Sequence, residues 1–187
     1  MKKYLKSLVT LILIIVVFIA VLITARSLSE NPYLLETISQ FGYPGVMLVA
    51  IIAGLNTFVP LPAATFTPLF TASGLSLPLI ILTLALGTLI ADFIGYMLGH
   101  VSRDLIITKY PKIFSFATNI QQNHQKLIIP LVALYAAFVP FPNEAILIPL
   151  ALAGTKFRTL LIPLIIGNIL HQAVIIYGIS SINNLLF

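Results

Sequence analysis

The chain has 187 residues, 59% of them hydrophobic and only 8% charged, with a mean hydropathy of +1.09. A soluble domain carries roughly 25% charged residues, so too few polar side chains exist to coat a water-facing surface, and the composition reads as an integral membrane protein. The net charge of +5 is no nucleic-acid signal, because the bases flank apolar runs, and the absence of cysteine excludes disulfides, thiol catalysis and Cys-ligated metal.

Lys2, Lys3 and Lys6 precede an uncharged run from Ser7 to Ala25. As a helix that run rises about 28 Å, near the hydrocarbon thickness of a bilayer. It is longer than the apolar core of a cleavable signal, and the residues before Arg26 make a poor small-x-small site. Residues 1–25 are therefore read as a retained transmembrane anchor in preference to a signal peptide. Residues 26–187 are read as one membrane domain.

Arg26 to Gln40 is a polar patch, read as a loop or interfacial helix. No charge follows from Thr37 to Ala91, and Pro44, Pro60, Pro62, Pro68 and Pro78 interrupt that run. Tyr43 to Leu75 spans 33 residues, where two full crossings need about 40. A re-entrant hairpin turning near Pro60-Leu61-Pro62 fits better. Broken backbone at that depth is tolerated only against protein or a wet cavity. Asn56, Thr57, Thr65, Thr67, Thr71 and Ser73 would satisfy backbone groups freed by the prolines, with substrate contact as the competing role.

Pro78 to His100 reads as a full crossing. Gly87, Ala91, Gly95 and Gly99 put a small residue at every fourth position, a stripe that lets another helix approach. Asp92, Gly95, Tyr96 and Gly99 share one side of that helix. Residues 101–126 mix apolar and basic side chains and read as an interfacial linker. Leu127 to Gly154 is again too short for two crossings and carries Pro140 and Pro142 near its middle, followed by Asn143 and Glu144. It reads as a second re-entrant hairpin. Lys156 and Arg158 precede a last crossing, with Asn168, His171 and Gln172 on one face.

The two halves repeat. Phe58-Val59-Pro60-Leu61-Pro62 returns as Phe138-Val139-Pro140-Phe141-Pro142, and at the same offset Gly74 matches Gly154 and Gly87 matches Gly167. Repeat 1 covers about 43–100 and repeat 2 about 127–181. A hairpin returns to its starting face and the helix after it crosses once, so the two copies face opposite ways. The expected fold is all-α: an inverted repeat of re-entrant hairpin plus transmembrane helix behind an N-terminal transmembrane helix. With the N-terminus cytoplasmic and the C-terminus outside, nine of the ten bases fall inside. The expected location is the plasma membrane.

Gly87-Thr-Leu-Ile-Ala91-Asp92-Phe-Ile-Gly95-Tyr96-Met-Leu-Gly99-His100 resembles the pattern of the DedA superfamily, also called VTT-domain or SNARE-associated membrane proteins. The paired Pro-x-Pro segments with Gly74 and Gly154 behind them look like that family's two hairpins. The resemblance covers about residues 40–181. It departs at Ala64, where the family's first hairpin usually carries glutamate, and at Ala137 and Asn143, where the second usually carries arginines. Glu144 places an acid at the tip of the other hairpin instead. Membership implies movement of phospholipid or undecaprenyl phosphate between leaflets, in some members dependent on the proton-motive force.

Glu144 interrupts an otherwise uncharged span from Leu127 to Thr155. Such a group faces a cavity, finds a partner or takes up a proton; the competing readings are a surface carboxylate or a cap for free N–H groups. Asp92 has no oppositely charged neighbour on its own helix, so its partner comes from elsewhere, either as a structural hydrogen bond or as part of a site. His171, Asn168 and Gln172, with Asn143, are either interhelical glue or part of a proton or substrate site. His100, Arg103, Lys156 and Arg158 would anchor the helix ends at the interface or gather anionic headgroups. No enzyme motif, metal-ligand cluster or cofactor signature occurs. The partners expected are membrane lipids and protons, with a homo-oligomer left open. The expected function is transbilayer movement of a lipid or lipid-linked phosphate through a polar cavity between hairpins that meet near the midplane. A small-solute or ion transporter, a non-transporting membrane organiser and, more weakly, an intramembrane enzyme are the alternatives.

Overall fold

The computed structural model describes residues 30–55, 62–103, 125–139 and 141–186, with isolated positions elsewhere. The expected N-terminal anchor, Pro60, Pro140, Asn56, Thr57 and most of the 101–126 linker lie outside the described residues. Every described element is helical: α1 (Pro32–Gly54), a 3-10 turn (Ala63–Phe66), α2 (Thr67–Ala72), α3 (Leu77–Val101), α4 (Gln125–Phe138), α5 (Glu144–Leu152) and α6 (Phe157–Leu186). Three stretches among them are long and apolar enough to cross a membrane: Pro32–Gly54, Leu77–Val101 and Phe157–Gly178. This is the make-up of a multi-pass membrane protein.

Where the sequence allowed a loop before Gln40, α1 begins at Pro32, with the Asn31 side chain accepting from the N–H groups of Tyr33 and Leu34. α1 is broken at Gly42, which sits at φ 53° and ψ −143°. Pro44 explains the break: it lacks an N–H, and its ring collides with the carbonyl one turn back. Only glycine enters that left-handed conformation without strain. The part of α1 beyond the kink rises about 18 Å, α4 about 21 Å and α5 about 14 Å.

Close contacts fix the helix directions. A Cβ on Gly87 would lie 2.5 Å from that of Ala50, and one on Gly54 2.6 Å from that of Ala91. Both indices rise together, so α1 and α3 run parallel. By the same test Gly95 on Glu144 and Gly99 on Ile148 make α3 and α5 parallel. Gly167 against Ala136 seats α6 along α4. The small-residue stripe thus serves two neighbours, with Gly87 and Ala91 against α1 and Gly95 and Gly99 against α5.

Each hairpin's returning arm sits on the long helix of the other half: α5 packs on α3, and the 3-10 turn touches α6. The halves therefore meet both where hairpin packs on helix and where α3 meets α6; the stretch 56–61, where a meeting of the two hairpins was expected, is not among the described residues. Two apolar cores result. One joins Tyr96, Val132, Leu147 and Leu164; the other joins Val46, Ala64, Leu84 and Ile176.

The repeat's glycines do equivalent work. Gly74 and Gly154 both have φ 86°. The N–H of Gly74 donates to Thr71 and that of Leu75 to Phe70, while the N–H of Gly154 donates to Ala151 and that of Thr155 to Leu150. These are Schellman endings, which satisfy the last carbonyls of α2 and α5. The hydroxyls of Thr65, Thr67, Thr71 and Ser73 donate to carbonyls three or four residues back, so the hairpin hydroxyls do satisfy local backbone.

Candidate functional site

Between the two apolar cores, α3 and α6 cross through a layer of polar side chains. Asn168 Nδ2 donates to Asp92 Oδ2 at 2.7 Å, and Gln172 Nε2 donates to Thr88 Oγ1 at 3.2 Å. As the α3 index falls from 92 to 88, the α6 index rises from 168 to 172, so these helices run antiparallel. The repeat offset turns Asp92 into Gln172 and Thr88 into Asn168. The two bonds are therefore one contact written twice, with the halves exchanged.

The tip of the second hairpin completes the Asp92 half of this layer. Asn143 sits at the N-cap of α5, yet its side chain makes no capping bond. Its Nδ2 donates instead to Asp92 Oδ1 at 3.0 Å and Oδ2 at 3.2 Å, and to Asn168 Oδ1 at 3.1 Å. Asp92, Asn143 and Asn168 thus form a closed triangle drawn from three elements. Asp92 and Asn168 are each 2% exposed. The two amides are the only hydrogen-bond partners of Asp92 among the described residues.

On the repeat offset Asn143 and Glu144 correspond to Ala63 and Ala64, so those two positions of the first hairpin carry no polar side chain toward α6. Gln172 is 4% exposed, and its buried Oε1 has no hydrogen-bond partner among the described residues. The two bonds differ in chemistry, with the Asp92 carboxylate in one and the Gln172 amide in the other.

Glu144 is 9% exposed. Its chain lies where a Gly95 side chain would be, with Cγ 2.6 Å from that ideal Cβ. Gly95 follows Asp92 by one helical turn, so both acids lie along one stretch of α3. Glu144 also stands in the first turn of α5, where the free N–H groups favour negative charge. Tyr135 donates from its hydroxyl to the carbonyl of Pro142 at 3.4 Å, holding the same tip from α4.

His171 does not join this network. Its Nδ1 lies 3.1 Å from the carbonyl of Ala137, one of the last carbonyls of α4 and so without an intrahelical partner. The polar face expected on the last helix therefore splits: Asn168 turns to Asp92, Gln172 to Thr88 and His171 to α4.

At the far end of α3, Tyr96 donates its hydroxyl to the carbonyl of Thr155 at 2.9 Å, fixing the turn between α5 and α6. Arg103 lies along that turn, its guanidinium 3.8 Å from where a Gly154 Cβ would be. His100 is exposed and stacks on the Tyr96 ring, and Lys156 and Arg158 are exposed. Thr88, Tyr135 and Thr155 escaped the sequence reading; the offset of 80 that pairs Gly87 with Gly167 also pairs Thr88 with Asn168, a signal that finds the first. Among the described residues no group of three His, Cys, Asp or Glu side chains would hold a metal ion. No family model, no curated protein and no solved structure matches this chain.

Proposed function

We propose that this chain is a divergent DedA-type transporter that moves a lipid or lipid-linked phosphate between leaflets, with protons as the coupling ion. The observation that carries the reading is the burial of two carboxylates, Asp92 and Glu144, within one turn of each other along α3 and against the tip of a short hairpin. A carboxylate in hydrocarbon costs a few kcal/mol on insertion scales and marks a functional position by default. An architecture that only had to fold would carry apolar residues there at less cost.

The halves are read as an inverted repeat. Support comes from the antiparallel crossing of α3 and α6, the exchanged 92–168 and 88–172 bonds, and the matched glycine endings. The hairpins are read as re-entrant, because α4 and α5 rise less than the roughly 30 Å of the hydrocarbon core. Headgroups would be drawn to Arg103, Lys156 and Arg158 on the cytoplasmic side of the plasma membrane, with the N-terminus inside.

Reconstitution into liposomes with labelled phospholipid and labelled polyprenyl phosphate tests this. Lipid should move between leaflets, and Glu144→Gln should abolish the movement while the protein still inserts. Lipid movement that survives Glu144→Gln unchanged removes the carboxylate mechanism. No lipid movement at all, with or without a pH-dependent ion flux, removes the lipid-transport reading.

A further inference from the structure

The close approaches along the small-residue stripe of α3 are not all of one kind. A Cβ on Gly87 would meet Ala50, Met47 and Ile51, and one on Gly99 would meet Ile148 and Ala151; each of these meetings includes backbone atoms of the partner helix. A Cβ on Gly95 would have three atoms of one side chain as its nearest neighbours: Glu144 Cγ at 2.6 Å, Cδ at 3.4 Å and Oε1 at 3.4 Å. Gly95 therefore admits a side chain rather than a helix backbone, and Glu144 lies along it with its carboxyl group against α3. Among the described residues that carboxylate has only its own backbone N–H as a hydrogen-bond partner. Contact with α3, and no bond from a second residue, fixes where the acid lies.

The repeat provides a comparison inside the molecule. At the offset of 80, Glu144 corresponds to Ala64 and Gly95 to Ile175. The 3-10 turn that carries Ala64 touches α6 as α5 touches α3, and Ala64 and Ile175 belong to one apolar core. One pairing puts alanine on the hairpin and isoleucine on the helix. The other puts glutamate on the hairpin and glycine on the helix. Both pairs carry the same number of side-chain heavy atoms, shifted from helix to hairpin. The fold fills the position with apolar atoms in one case, so packing requires neither an acid nor a glycine in the other. Apolar atoms also avoid the penalty of burying a charge.

We infer that Gly95 is a positioning residue for Glu144, its missing side chain forming the seat that holds this carboxyl group one helical turn from Asp92. The inference deepens the transport reading and rests on it for the use to which the acid is put; the placement itself is measured without lipid flux. The other titratable groups around the seat have their own engagements. Asp92 is held by Asn143 and Asn168, Tyr96 on α3 by Thr155, Tyr135 on α4 by Pro142 and His171 on α6 by Ala137. Arg103 lies at the far end of α5, against Gly154.

Infrared difference spectra of the protein in nanodiscs, recorded against pH, give a protonated-carboxyl band for Glu144, identified by its loss in Glu144→Gln. In Gly95→Ala the new Cβ displaces Glu144 Cγ, and the midpoint of that band should move by about one pH unit or more as the acid changes its hydration and its distance from Asp92. Gly99→Ala crowds Ile148 and Ala151 one turn further along the same interface and should leave the midpoint in place; a role for Gly95 in helix packing alone predicts the same response from both variants. Copying the other half's pairing tests the seat by size. Gly95→Ile with Glu144 present should lower the melting temperature in detergent, and Gly95→Ile combined with Glu144→Ala should fold and recover most of that loss. An unmoved midpoint in Gly95→Ala, an equal movement in Gly99→Ala, or a double variant that melts no higher than Gly95→Ile overturns the inference. A failed lipid-flux assay touches none of these readings; it removes the transport use of the acid and leaves its placement standing.

Discussion

Replacing Gly87 by alanine tests the helix packing at one atom. The new Cβ would meet the Ala50 Cβ at 2.5 Å, the Met47 carbonyl oxygen at 2.8 Å and the Ile51 nitrogen at 3.4 Å. Ordinary carbon–carbon contact begins at about 3.5 Å, so α1 and α3 must part by about 1 Å at this level. Met47 offers a backbone atom, which cannot rotate away. Overpacking of this kind costs about 1–3 kcal/mol, and alanine's better helix propensity returns up to about 1. The net loss against the parent is about 0–2 kcal/mol, and against a control that gains the propensity alone it is about 1–3 kcal/mol, or roughly 2–12 °C in apparent Tm for a chain of this size. Gly167→Ala meets Ala136 Cβ at 2.6 Å and the Ala133 oxygen at 2.8 Å, so it should cost a similar amount. Gly178→Ala meets nothing within 4 Å and serves as the control. Thermal unfolding followed by helical circular dichroism in detergent gives the order. Gly87→Ala melting level with Gly178→Ala would refute the close approach of α1 and α3.

Two further outcomes follow from the polar layer and the turns. Gln172→Leu removes an amide whose Oε1 has no partner among the described residues, and Thr88 keeps its bond to the Leu84 carbonyl, so stability should hold or rise slightly; Asn168→Leu strips a donor from a buried carboxylate and should cost about 3 kcal/mol or more. Equal melting temperatures for the two variants would contradict the asymmetry of the layer. Gly74→Ala and Gly154→Ala force alanine to the same φ of 86°, a conformation costing about 1–2 kcal/mol; the two variants should melt alike and below the parent, and an unshifted melt in either denies the shared turn.

What the sequence determined here is local. Composition alone required a membrane for this chain. Pro44 beside Gly42 placed a break in α1, and glycines 80 positions apart marked two identical helix endings, because a proline or a left-handed glycine acts on its own turn. The hydroxyls of the first hairpin found acceptors within four residues for the same reason. Asn168, His171 and Gln172 shared a stretch of sequence but not a destination: His171 lies about 100° around α6 from Gln172, and that angle sends it to α4. Asp92 took its partners from 51 and 76 residues away. Only the docking of a hairpin tip onto two crossing helices brings those groups together. Once these groups are buried together, their donors and acceptors must find one another, and that requirement belongs to the folded molecule rather than to any one segment of the chain.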